Sequence, residues 1–173
     1  MKKIYSILIC LCCLESKAQD GVYLTSQDFE NQKLSETNAT IFRERYSSIK
    51  VKKDDTKIYN YQNAFGYRKG EKDWRFVGNK SYEILNKNGI YIYRLDISNE
   101  ISTQLYYFSR KVNGELISLT KKNLKKIYAD NPEFIELLNS LHWRIALEDE
   151  IPPFNVVRVA ELFLYCKANK GEN

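Results

Sequence analysis

The chain has 173 residues, 43% of them hydrophobic and 28% charged, with 7 Gly, 3 Pro and a formal charge of +5. That balance excludes disordered, collagen-like and coiled-coil chains. It is also too weakly basic to imply a polyanionic partner, nucleic acid included.

The first predicted element is an export leader over residues 1–18. Lys2 and Lys3 precede Ile4 to Leu14, an uncharged apolar run closed by Glu15, and Ser16-Lys17-Ala18 supplies the small residues of a cleavage site. The run falls well short of the roughly 20 apolar residues of a transmembrane helix, and no later segment reaches that length. A lipoprotein leader places a small residue before its cysteine, whereas Cys10, Cys12 and Cys13 follow Ile9, Leu11 and Cys12. Without the leader, residues 19–173 carry about +3 and keep Cys166 alone, so no intramolecular disulfide is available. Residues 19–173 are expected as one α+β domain, long enough to bury roughly 70% of the surface of the unfolded chain. A cysteine-poor exported chain rich in Lys, Asn, Ile and Tyr fits the periplasm or cell surface of a Gram-negative bacterium. Asn38-Ala39-Thr40 would accept a glycan only on a eukaryotic route.

Val22 to Leu24 can form a short strand, and Thr25 with Asp28 resembles a capping box ahead of a short helix carrying Phe29. Asn31 to Arg45 shows no clear pattern. From Ile49 to Leu119 the chain reads as short strands rich in Tyr, Ile, Phe and Trp, separated by turn residues, which predicts an antiparallel meander of five to seven strands. Gly70 to Asp73 and Gly78-Asn79 mark reversals. Asn88-Gly89 predicts a type I′ hairpin joining Ser81–Lys87 to Ile90–Asp96, and Asn113-Gly114 repeats the signal between Thr103–Val112 and Glu115–Leu119. Alternation puts Tyr91, Tyr93 and Leu95 on one face of their strand and Ile90, Ile92 and Arg94 on the other. Both faces are largely apolar, which predicts a central strand covered on both sides.

After Leu119 the period changes. Thr120 caps a helix whose stripe is Leu124, Ile127 and Tyr128, with Lys121, Lys122, Lys125 and Lys126 on the wet side. Asp130-Asn131-Pro132-Glu133 is a helix start, and Phe134, Leu137, Leu138 and Leu141 repeat at helical spacing. Pro152-Pro153 breaks the chain, and Val156 to Lys167 reads as a third helix, with a strand as the alternative for its β-branched start.

The chemistry-bearing motifs are few. His142 and Cys166 occur without a nucleophile motif, and the histidine is read as favouring the dipole of a helix C-terminus beside Trp143. One His and one Cys outside the leader cannot build a zinc site, and neither Glu148-Asp149-Glu150 nor Asp54-Asp55 has the spacing of a calcium loop. The glycines form no phosphate loop or dinucleotide fingerprint, so no cofactor is expected. What is unusual is the aromatic content, 13 Tyr, 8 Phe and 2 Trp in the whole chain. Tyrosine offers a flat apolar face and a hydroxyl, which suits sugars and extended peptides. Tyr91, Tyr93, Tyr106, Tyr107, Trp74 and Tyr82 are therefore the candidate binding residues, weighed against ordinary cross-strand packing.

Taken together, Phe65-Gly66-Tyr67, Trp74-Arg75-Phe76 with Gly78, Gly89-Ile90-Tyr91-Ile92-Tyr93, Leu119-Thr120 with Asn123-Leu124, and Asp130-Asn131-Pro132-Glu133-Phe134 resemble a pattern in small exported bacterial proteins of unknown function. The resemblance spans Gly21 to Leu141 and implies the same sheet followed by a helical segment. It carries no activity and no catalytic residue. The resulting expectation is a non-enzymatic envelope module that binds a protein partner or a glycan. The alternatives are a hydrolase of an envelope polymer, which would need two carboxylates or His142 converging in a polar cleft, and a structural accessory of an envelope complex.

Overall fold

The computed structural model describes residues 19–44, 47–97, 103–142, 145–151 and 156–169. The leader, Trp143 and the Pro152-Pro153 break lie outside the described residues. Strand β1 (Gly21–Tyr23) leads into helix α1 (Ser26–Glu30). Thr25 Oγ1 accepts from the Asp28 amide at 3.1 Å while the Asp28 carboxylate accepts from the Thr25 amide at 3.0 Å, so the capping box forms as the sequence predicts.

Strands β2 (Thr40–Glu44), β3 (Ser48–Lys52) and β4 (Thr56–Asn60) form a separate three-stranded antiparallel sheet. The meander thus does not run on unbroken from Ile49. The reason lies in the turn after β4, where the Asn63 side chain accepts from the Asn60 amide and the Asn60 side chain accepts from the Gln62 amide, both at 2.8 Å. Phe65 N then donates to Tyr23 O at 2.9 Å, which delivers the chain to β1 instead of back along β4. On the other side of the same sheet, Ser35 exchanges both backbone bonds with Val22, each 2.8 Å.

Strands β5 (Gly66–Lys69), β6 (Lys72–Val77), β7 (Lys80–Asn86), β8 (Tyr91–Ile97), β9 (Thr103–Ser109) and β10 (Ile117–Ser118) join β1 in a seven-stranded antiparallel sheet of order β1-β5-β6-β7-β8-β9-β10. Gly70-Glu71 and Gly78-Asn79 are two-residue loops with glycine first, at φ +62° and +53°, as type II′ turns require. The other two turns differ from expectation. The β7–β8 loop follows a bulge between Ile84 and Asn86; Gly89 alone takes a positive φ, and Asn86 Nδ2 donates to the carbonyls of Asn88 and Ile90. At Asn113-Gly114 neither residue has a positive φ, and the Gly114 amide donates to Lys111 O within a longer loop.

Helices α2 (Lys121–Ile127) and α3 (Pro132–Ser140) follow, capped by Thr120 and Asn131 as predicted. The short pair β11 (Glu150–Ile151) and β12 (Val156–Val157) then leads into α4 (Arg158–Asn169). Both readings of the segment from Val156 therefore hold in part, since a two-residue strand precedes the helix. None of the described helices is long and apolar enough to cross a membrane.

One face of the main sheet carries two covers. The three-stranded sheet packs Ile41, Ile49, Val51 and Tyr59 onto Val22, Tyr67, Trp74 and Phe76. The helices pack Leu124, Phe134, Leu138, Val159 and Phe163 onto Ile92 and Phe108. Each such side chain contributes about 1.5–3 kcal/mol on burial. Glu83, in register between Trp74 and Arg94, is buried and bridges Lys72 at 2.9 Å and Arg94 at 2.7 Å. The opposite face buries Tyr23, Tyr82, Tyr93 and Leu95 under Phe29 of α1 and Val112 and Leu116 of the β9–β10 loop. β8 feeds both faces, as its alternation predicts.

Candidate ligand groove

The six sequence-predicted aromatics do not form one patch. Register puts Trp74 and Tyr106 on the face with two covers and Tyr82, Tyr91, Tyr93 and Tyr107 on the other. Trp74 stacks on Tyr67 with ring centres 5.9 Å apart and lies under the Arg43 guanidinium at 4.4 Å. Tyr82 meets Tyr107 edge to face at 5.4 Å. Tyr93 is fully buried, its hydroxyl within reach of Arg75 (3.2 Å), Ser109 (3.1 Å) and Val112 O (3.4 Å). Tyr106 donates to Gln104 at 2.7 Å. Of the six, Tyr91 borders a cavity.

That cavity, about 430 Å³, is lined by Phe29 and Glu30 of α1, by Gln32 just after it, by Lys87 and Asn88 of the β7–β8 loop and by Tyr91. A second cavity, about 260 Å³, is lined by Glu71, Asp73, Ile84, Leu85 and Asn86, and again by Lys87 and Asn88. The two adjoin at Lys87-Asn88 and make one groove divided by that loop. Gln32 reaches it from a left-handed backbone conformation, φ +53°, which is strained for a non-glycine residue and is held here by its side-chain Nε2 donating to Phe29 O at 2.7 Å.

Asp73 is the electrostatic centre. Its Oδ1 accepts from Tyr23 Oη at 2.9 Å and from Arg68 Nε at 2.7 Å, and its Oδ2 accepts from Arg68 Nη2 at 2.9 Å and from Lys87 Nζ at 3.4 Å. Burial alone raises the carboxyl's pKa, but donation from Arg68 and Tyr23 outweighs it and holds Asp73 below the usual carboxylate range. Burial, reinforced by the adjacent Asp73 charge, pushes the Tyr23 phenol far above its ordinary value. The pair is therefore fixed, carboxylate ionised and phenol protonated, throughout the physiological range. A carboxylate so neutralised is a weak base and nucleophile, and it cannot be the raised-pKa acid that glycoside hydrolysis uses. His142 is exposed just beyond α3 and lines neither cavity.

Sequence reasoning missed Phe29, Gln32, Asp73 and Lys87 as a group, because tertiary packing brings them together across up to 58 positions of the chain. One signal was present. In Asp73-Trp74-Arg75-Phe76, alternation sends two charged residues to the face shared with Tyr82 and Tyr93, where a charge must be paired. Comparisons with protein-family models, curated proteins and solved structures found no match.

Proposed function

We propose that this chain is an exported, non-enzymatic binding module that holds a glycan in the groove between α1 and the β7–β8 loop. The observation that carries this reading is the lining itself. Phe29, buried beneath Lys87, and the half-buried Tyr91 line its first cavity with the amides of Gln32 and Asn88, and the Asp73 carboxylate lines its second, in a combined volume typical of small-ligand sites. Sugars need that pairing of apolar faces with fixed polar groups. The Ser16-Lys17-Ala18 leader supports a periplasmic or surface location. A glycan array probed with the purified protein tests the proposal. Tyr91→Ala should remove the binding signal, and an array with no signal defeats the reading.

A second reading, a protein partner, is favoured by one observation elsewhere. Phe42 and Ile58, 48% and 53% exposed, flank Lys50 in one cross-strand row of the three-stranded sheet. Exposed apolar side chains in a row suit a protein contact. Affinity purification from the native envelope would return a stoichiometric partner on this reading, and Phe42→Ser with Ile58→Ser would release it.

A further inference from the structure

We infer that the groove is built for a glycan bearing a free ammonium group, and that Lys87 stands where that ammonium sits. This rests on the glycan reading above. A carboxylate offers about four acceptor positions. Three of those on Asp73 are filled from within the fold by Tyr23 and Arg68. The fourth belongs to Lys87, whose Nζ lies 3.4 Å from Asp73 Oδ2, 3.5 Å from Gln32 Oε1 and 5.9 Å from the centre of the Phe29 ring. Gln32 Oε1 has its other position taken by Arg68 Nη2. A carboxylate oxygen, an amide oxygen and an aromatic face thus converge on a single ammonium nitrogen, the combination that recognises such a cation.

Lys87 holds this position loosely. Both oxygen contacts are at the long limit of hydrogen bonding, and its side chain is 46% exposed on a flexible stem. It lines both cavities, so swinging it outward joins them and frees the three contacts for an incoming amine. An ammonium with three donors satisfies both oxygens at once. An N-acetyl group in its place loses two of those donors and turns a carbonyl toward two acceptors, which selects against it.

The test is titration calorimetry of the protein, expressed from the full chain and used in the form that export leaves, against a glucosamine tetramer and an N-acetylglucosamine tetramer. The expected result is preferential binding of the free-amine tetramer by about tenfold or more, weakening as the pH is raised and the amines lose their protons. Lys87→Met removes the internal competitor and should tighten that binding several-fold, in line with a larger binding-competent fraction, without changing the melting temperature appreciably. Equal binding of both tetramers overturns the ammonium inference and leaves the glycan reading standing. Binding of neither overturns the inference, and the array decides the glycan reading separately. Weaker amine binding by Lys87→Met overturns the view that Lys87 is a stand-in.

Discussion

The region of the main sheet under the helices and the region under α1 on the opposite face are built on opposite principles. Under the helices the core is almost wholly hydrocarbon, and a polar group within it, the Tyr128 hydroxyl, has no hydrogen-bond partner among the described residues. Under α1 and the β9–β10 loop, the same sheet buries Asp73, Arg75 and Ser109 with several tyrosines, and the hydroxyls of Tyr23 and Tyr93 are bonded into that network. The helix-covered region is stabilised by area and shape, so a single polar group there is a tolerated defect, whereas Glu83, farther along the same face, is buried only with its partners Lys72 and Arg94. The region under α1 is stabilised by mutual satisfaction, so removing one member strands the others. The groove lies on the second face, where fixed polar groups are already present.

The largest expected effect is on the hydrocarbon side. Phe134 is fully buried and meets Tyr128 and Phe163 edge to face, so Phe134→Ala should lower the unfolding free energy by about 4 kcal/mol in urea titration. Asp73→Ala should cost about 3 kcal/mol at neutral pH, because it leaves the Arg68 guanidinium without its carboxylate. The acid dependence of that loss carries the sign. Asp73 has a depressed folded-state pKa, so its contribution is complete above the unfolded value, near pH 4, and fades as pH falls through the folded one; wild type and variant should converge in acid. The same chemical change made on each face gives the sharpest contrast. Tyr93→Phe should destabilise by about 1.5 kcal/mol, whereas Tyr128→Phe should be neutral or stabilise by up to about 1 kcal/mol, and matched thermal melts separate them. Equal effects would break the comparison. The smallest change is expected at Phe42→Ser, outside both cores, within about 0.5 kcal/mol.

Much of the fold was legible because its signals are local. The capping box at Thr25 and Asp28, the start at Asn131-Pro132 and the apolar stripe of Phe134 and Leu138 are each decided within a few residues, and all appear as read. The assignment of strands to two sheets was not legible, because it depends on Phe65 bonding to Tyr23, a contact across 42 positions that no periodicity announces. The Asn88-Gly89 turn failed for a similar reason: the bulge at Ile84 to Asn86 and the Asn86 side chain set the loop's geometry ahead of its dipeptide. Of the site, Tyr91 was legible through its strand and aromatic chemistry. Lys87 was not, since a lysine after a strand is ordinarily solvated, and its meaning comes only from Asp73 and Gln32 arriving from elsewhere.

The bonds from Ser35 to Val22 and from Phe65 to Tyr23 have an architectural consequence. The three-stranded sheet thus departs from and returns to adjacent residues of one short strand, while its inner face shares a core with the meander. Its outward face is therefore expected to tolerate exchange without shifting the register that sets Asp73 and Tyr91. Its inner face must still cover Val22, Tyr67, Trp74 and Phe76 and keep the Arg43 contacts to Ser81 and Trp74. In such an architecture the outward surface and the groove are free to diversify independently.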